Sequence, residues 1–92
     1  MDRIAMLKEL LEQNPADAFA RYGLAMEYAK AGEIDTALEE FKTILRGNPD
    51  YTPAYQMAAQ TLLGALRTEE ARLMLKDGIA SALRTGNQHA QS

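Results

Sequence analysis

The chain has 92 residues, a formal net charge of −3 and no cysteine, so it has room for one small domain. The lack of cysteine excludes a disulfide scaffold, a thiolate metal site and a cysteine nucleophile. The acidic balance argues against nucleic-acid binding, which usually needs a basic stripe. No apolar run approaches the ~20 residues of a membrane span, and Lys8, Glu9 and Glu12 interrupt the N-terminal apolar stretch unlike a secretory signal. We therefore expect a cytoplasmic protein without membrane contacts.

Apolar residues predict five helices and no strands. Residues 2–13 carry apolar side chains at helical spacing, and residues 17–30 are apolar around most of the circumference. Residues 34–45 form the clearest amphipathic stripe, residues 52–66 contain no charge, and residues 71–83 repeat the stripe within a helix expected over 68–84. A helix that is apolar nearly all round is usually covered on several sides. The second and fourth helices should therefore be central.

Short breaks separate the five segments. The Asn-Pro pairs at 14–15 and 48–49 end helices, because the residue before proline is disfavoured in the α conformation. Gly32, Gly47 and Gly86 suit helix C-caps. The candidate N-caps, each to within a residue or two, are Asp17, Asp35, Thr52 and Thr68. Connections of about two to six residues predict antiparallel hairpins.

The chain also contains an internal repeat. The two Asn-Pro prolines, Pro15 and Pro49, lie 34 residues apart. The same offset aligns further apolar residues: Leu7 with Phe41 and Leu75, Leu11 with Leu45 and Ile79, Ala25 with Ala59, Tyr28 with Leu62, and Ala37 with Ala71. A two-helix unit of this period is typical of tetratricopeptide repeats.

The sequence resembles the tetratricopeptide repeat family over essentially residues 2–85. The family pattern W-x2-L-G-x2-Y, A-x3-F and P is matched best by Leu24, Ala25, Tyr28, Gly32, Ala37, Phe41 and Pro49. Three residues depart from it: Arg21 stands in place of tryptophan, Leu66 in place of the second turn glycine, and Leu83 in place of the second proline.

The resemblance implies an all-α array of helical hairpins, an α-solenoid of five helices in about two and a half repeats. Its single domain, 1–92, divides into an N-terminal half repeat, two full repeats and a C-terminal stub, at 1–17, 18–51, 52–85 and 86–92.

Candidate catalytic groups are few. The only histidine is His89, in the last seven residues, so a serine–histidine dyad has no support. The acidic pairs at 39–40 and 69–70 are adjacent, and adjacent helical side chains point about 100° apart instead of converging. The scattered glycines form no phosphate-binding loop. We therefore predict no enzymatic activity, no metal and no cofactor.

The family resemblance implies binding of a protein or peptide instead. Tetratricopeptide proteins are interaction scaffolds, and the first helix of each hairpin lines a concave groove that holds a peptide or a partner helix. Carried over to this sequence, the groove residues are Phe19, Tyr22, Met26, Ala29, Lys30, Gln56, Gln60 and Leu63. The alternative is that Phe19 and Met26 pack against helix 2–13 or the next repeat, and the sequence does not decide between these readings.

One form of family binding is not expected. A subset of the family clamps the C-terminal carboxylate of chaperone peptides with lysine, asparagine and arginine on the groove face. Tyr22, Met26 and Met57 stand where the first lysine and two asparagines would be. We therefore predict no recognition of acidic chaperone tails.

The C-terminal end suggests two further roles. By the repeat offset His89 aligns with Tyr55, so the tail resembles the start of another first helix, as in a chain shortened from a longer protein. Met74, Ile79 and Leu83 would then lie on an uncapped stacking surface. This surface predicts docking of a partner or a homodimer through the C-terminal end. The alternatives to a noncatalytic interaction module or assembly adaptor are thus a homo-oligomeric structural module and an accessory subunit of an enzyme complex.

Overall fold

The computed structural model describes residues 2–91, with side chains described as far as Gly86. It contains five helices, namely α1 (Arg3–Gln13), α2 (Ala18–Lys30), α3 (Ile34–Gly47), α4 (Thr52–Gly64) and α5 (Thr68–Gln91). No strand occurs between residues 2 and 91. The all-α prediction is confirmed.

Each helix packs against the helices that precede and follow it in the chain. α2 packs along α3 and α4 along α5, while α1 packs on α2 and α3 on α4. α2 also contacts α4, so these two helices share one layer and α1, α3 and α5 form the other. The second and fourth helices are therefore central, as their apolar circumference predicts.

Small side chains lie inside each hairpin, where its two helices pack together. Ala25 and Ala37 are fully buried in the first hairpin, and Ala71 is buried in the second. Alanine lets two helices approach closely, and Phe41 fills the remaining volume beside them. The main core consists of Ala25, Ala37, Leu38, Phe41, Ile44, Ala54, Ala58, Leu62 and Ala71. A second cluster joins α1 to α2 through Leu7, Leu11, Ala20 and Leu24.

The helix ends partly match the sequence signals. The Asp17 carboxylate caps α2 by accepting a hydrogen bond of 3.0 Å from the Ala20 backbone N–H. The other three candidate caps, Asp35, Thr52 and Thr68, lie inside the first turns of α3, α4 and α5. Asp17 is therefore the one of the four that is confirmed as a cap.

The two hairpin turns use the same left-handed backbone with different residues. Gly32, between α2 and α3, has φ +82°, which glycine adopts without a steric penalty. Leu66, between α4 and α5, has φ +63°, which is unfavourable for a residue with a Cβ atom. The Leu66 side chain is also exposed, so packing does not offset this strain.

The C-terminal tail differs from the expectation. α5 continues without a break through Gly86 to Gln91, so Gly86 is not a C-cap and the tail extends α5 instead of starting a new helix. The Asn-Pro pair that ends α3 has no counterpart at 82–83, and one glycine inside a helix costs only about 1 kcal/mol. The division into repeats stays a prediction, and its last boundary, residue 85, falls inside a helix. The side chain of His89 lies outside those described.

Candidate functional site

The predicted groove residues occupy two helices and differ in exposure. Those on α2 are Phe19, Tyr22, Met26, Ala29 and Lys30, and those on α4 are Gln56, Gln60 and Leu63. Tyr22, Met26 and Ala29 are half-buried against the main core. The remaining five are exposed. The structure thus separates a set that supports the core from a set that is free for contacts.

Phe19 is the residue whose role the structure clarifies most. Its side chain is 79% exposed, so it does not pack against α1, and the packing interpretation is wrong for this residue. The same interpretation holds in part for Met26, which contacts the core and also faces solvent.

A cleft of about 360 Å³ lies between α1 and α2. Four predicted groove residues meet there, namely Phe19, Tyr22, Met26 and Lys30. From α1 it is lined by Arg3, Leu7 and Leu10. Gln60 and Leu63, on α4, do not line this cleft, and Gln56 instead borders a smaller hollow of about 120 Å³ between α4 and α5. We call the space between α1 and α2 the α1–α2 cleft.

Tyr22 connects the cleft to the core. Its ring lies edge-on to Phe41, with a centroid distance of 6.1 Å, and tilted against Tyr51 at 5.9 Å. Both distances favour aromatic contact. Burial raises the pKa of the Tyr22 phenol, and the neighbouring Tyr51 raises it further. At neutral pH the cleft therefore presents a protonated phenol on a well-held ring.

The cleft has a charged end. Glu27 Oε2 lies 3.4 Å from both Arg3 Nε and Lys30 Nζ. The side chains of Arg3 and Lys30 are 62% and 71% exposed, whereas that of Glu27 is only 18% exposed. Two accessible cations therefore share one sheltered carboxylate, which leaves an excess positive charge. Asp17 borders the opposite end of the cleft.

Sequence reasoning missed the α1 side of this cleft. The repeat offset carried the signal, because it aligns Arg3 with Ala37 and Ala71, which are buried where the hairpin helices cross. An arginine in the place of these alanines indicates that α1 does not form the close helix crossing that α3 and α5 form in their hairpins. Gly23 was also missed. A Cβ atom added there would lie 3.5 Å from a Leu7 methyl group, an ordinary contact distance, so α1 packs closely against α2 at this point.

Arg21, which replaces the pattern tryptophan, has a structural role outside the cleft. Its Nη1 donates to both Glu40 carboxylate oxygens, at 3.0 and 3.1 Å, and its Nη2 donates to the Pro15 carbonyl at 3.2 Å. Both charged side chains are largely buried. Arg21 therefore ties α2 to α3 and to the preceding turn, as a charged substitute for an aromatic contact.

A polar network closes the second hairpin. The fully buried Ser81 lies 3.0 Å from the Thr52 hydroxyl, and Arg84 donates to the Asp50 carboxylate at 2.7 Å. The Tyr55 hydroxyl donates to the Pro49 carbonyl at 2.6 Å. The bonds of Thr52 and Asp50 fasten the start of α4 to α5, and the Tyr55 bond holds α4 to the turn before it.

The outer face of the second hairpin is apolar and uncovered. Leu75, Ile79 and Leu83 are exposed along one side of α5, next to the hollow that Gln56 borders. We call these three residues the α5 stripe. Among the described helices, none is long and apolar enough to cross a lipid bilayer.

Comparisons with known proteins agree with this architecture. The chain is 25% identical over 85 residues to the TPR repeat-containing protein PA0015 of Pseudomonas aeruginosa, a match that covers 92% of this chain and 81% of that protein. The crystal structure of MamA superposes with a TM-score of 0.83 and 25% identity. That of YrrB, described as a TPR protein with an unusual peptide-binding site, superposes with a TM-score of 0.80 and 28% identity.

The chain spans less than half the length of these two solved proteins. The MamA match covers 91% of this chain and 46% of that one, and the YrrB match covers 85% and 40%. A family model described as tetratricopeptide repeat matches residues 1–91. The fold and these relatives support a protein–protein interaction module. The chain belongs to the tetratricopeptide repeat family.

Proposed function

We propose that this chain is a noncatalytic interaction module that binds a peptide or a partner helix on the faces of α2 and α4. The observation that carries the proposal is the exposed Phe19 ring beside Met26 and the well-held Tyr22 in the α1–α2 cleft. Aromatic and methionine side chains are enriched where proteins bind each other, and a pre-ordered ring loses little entropy on binding. The peptide-binding site named for YrrB supports a ligand of this class.

The partner proposed is a protein or peptide and not a nucleic acid. The two cations of the cleft share one carboxylate and do not continue as a basic stripe. A cytoplasmic location belongs to the same proposal, and the cysteine-free composition supports it. An accessory subunit of an enzyme complex would use the same surfaces, with an enzyme as its partner.

Site-specific photo-crosslinking tests the proposal. The photoreactive residue p-benzoylphenylalanine replaces Phe19, Gln56 or Gln60 in turn, and in a control it replaces Glu39, which is exposed on α3. In an extract of the native source, the groove positions should crosslink to a common protein and position 39 should not. The mass spectrum of the adduct distinguishes an adaptor from an enzyme subunit. Equal crosslinking at all positions, or none at the groove positions, would contradict the proposal.

The α5 stripe favours a second candidate, a homodimer through the C-terminal hairpin. Leu75, Ile79 and Leu83 are exposed on one face, whereas the residues aligned with Leu75 and Ile79 on α1 and α3 are buried or partly buried. Light scattering at about 100 μM should then give twice the monomer mass. Ile79→Lys should restore the monomer, and Leu73→Lys, on another face of α5, should not. A monomer mass for the unmodified chain would exclude this candidate.

A further inference from the structure

We propose that the α1–α2 cleft receives an amphipathic helix of a partner protein, parallel to α2, with acidic side chains in its last turn against Arg3 and Lys30. This inference rests on the proposed function, because it names the chemistry and direction of a partner for part of the same surface.

The internal repeat shows which packing position beside α1 is not filled by a helix of residues 2–91. α1 meets α2 as α3 meets α4, since both pairs join through an Asn-Pro turn and align at the 34-residue offset. α2 covers the inner face of α3, where Ile44 is only 4% exposed. The aligned residue of α1, Leu10, is 46% exposed. No helix of residues 2–91 takes, against α1, the position that α2 takes against α3.

The same alignment gives the direction of the bound helix. α2 runs antiparallel to α3, so a helix in the equivalent position runs antiparallel to α1 and parallel to α2. Arg3 begins α1 and Lys30 ends α2, and both lie at the same end of the cleft beside Glu27. The C-terminal end of the bound helix therefore reaches these cations, where its partial negative charge is favourable.

Arg3 favours acidic side chains at the C-terminal end of the bound helix. The residues aligned with it, Ala37 and Ala71, are buried and small, which lets a regular repeat helix cross closely. An arginine in this place hinders the same close apolar contact, because its long side chain occupies the crossing and its charge would lose water there. A carboxylate on the incoming helix would pair with the excess positive charge that Glu27 leaves. Charge complementarity thus favours an acidic partner helix over a further repeat helix.

The floor of the cleft suits the apolar face of such a helix. Phe19, Tyr22 and Met26 rise from α2, and Leu7 and Leu10 from α1. Gly23 presents no side chain between them, whereas the aligned residue on α4 is Met57. The cleft therefore has no side chain at position 23 and an excess positive charge at one end, so it favours one face and one direction of a bound helix.

A pair of synthetic helices tests the inference. Both are 16-residue hydrocarbon-stapled peptides with leucine, tyrosine and alanine on one face and glutamine elsewhere. One carries two glutamates in its last turn, and the other carries the same two in its first turn. Fluorescence anisotropy with the full chain should show the first peptide binding about fivefold more tightly, the size expected for partly exposed ion pairs. An isolated helix prefers acids in its first turn, so this order reports the cleft.

Three variants complete the experiment. Arg3→Ala should reduce the preference to less than about twofold, while Arg72→Ala, which removes an equally exposed arginine paired with Glu69, should keep it. Leu10→Ala should weaken both peptides about tenfold without changing the preference. Circular dichroism should show unchanged helicity in each variant, because all three side chains are exposed.

Several results of the peptide-binding experiment would contradict the inference. Equal affinity for the two peptides, no binding up to about 1 mM, or an unchanged preference in Arg3→Ala overturns the inference. A dimer of the unmodified chain that Leu10→Lys dissociates also overturns it, since a second copy then fills the cleft. If one of these outcomes is observed while positions 56 and 60 still crosslink to a partner, the proposed function remains supported and only the helix-binding inference is rejected. If those crosslinks also fail, the inference and the proposed function are both rejected.

Discussion

The two hairpins share one sequence pattern and differ in what covers them. In the first, Phe41 is completely buried beneath α4, whereas the aligned Leu75 of the second is 42% exposed because no described helix follows α5. The small residues inside each hairpin, Ala37 and Ala71, are buried in both. Contacts within a hairpin therefore repeat, while contacts between hairpins depend on a neighbour.

The Phe41 position should separate the hairpins most strongly. Phe41→Ala leaves a cavity in the main core and should lower the free energy of unfolding by about 3–5 kcal/mol. Leu75→Ala removes a half-exposed side chain and should cost less than about 1.5 kcal/mol. Urea unfolding followed by circular dichroism measures both. If Phe41→Ala does not fold, Phe41→Leu provides a milder comparison. Similar losses for Leu75→Ala and the Phe41 variant would mean that the α5 stripe is covered in solution.

Substitution of the buried alanines should destabilise the two hairpins by similar amounts. Ala37→Leu and Ala71→Leu each overpack a helix crossing and should cost about 1–3 kcal/mol. Ala80→Leu, at an exposed position of α5, should change the stability by less than about 0.5 kcal/mol. Thermal unfolding of the three variants is the measurement. A neutral Ala71→Leu would show that the second hairpin packs more loosely than the first.

Exchange of the turn residues should have opposite effects in the two hairpins. Leu66→Gly removes a side chain from a left-handed backbone and should stabilise the chain by about 1 kcal/mol. Gly32→Ala introduces the same strain into the first turn and should destabilise it by a similar amount. Urea midpoints of the single and double variants measure the effects. A destabilising Leu66→Gly would indicate that this leucine has a contact in solution.

The smallest effect should come from the ion pairs of Arg67, of which only the pair with Asp35 joins the two hairpins. Arg67 bonds Asp35 on α3 at 2.6 Å and Glu70 on α5 at 2.8 Å. Hydrogen bonds from Arg67 lower the pKa of the Glu70 carboxyl. This group therefore stabilises the fold above its unfolded pKa of about 4.3, and its contribution is lost as the pH falls through the lower folded value.

Urea unfolding at about pH 6 and pH 3 tests this contribution. The chain should unfold at a lower urea concentration at the acidic pH, and the difference should shrink in Arg67→Gln. Arg72→Gln, whose ion pair lies within α5, serves as the control and should keep most of the difference. An Arg67→Gln chain with the full pH dependence would place the acid sensitivity in other carboxylates.

The repeat sequence allowed the hairpin order and the Gly32 turn to be predicted, because these features rest on local spacing and single-residue conformations. Part of the site was predictable too: Phe19, Tyr22, Met26 and Lys30 do meet in one cleft. The continuation of α5 through Gly86 was not. A glycine weakens a helix without ending it when the next residues still form hydrogen bonds.

The amino-acid pattern alone predicts five helices, their 34-residue repeat and the apolar face of each, since side-chain spacing sets which residues share a helix face. Which of these faces remain uncovered depends on how the helices pack. Arg3 and Lys30 are 27 residues apart in the chain, yet both reach Glu27 because α1 and α2 are antiparallel. The exposure of Phe19 and the α5 stripe was decided in the same way, because burial depends on the neighbouring helix and not on the residue.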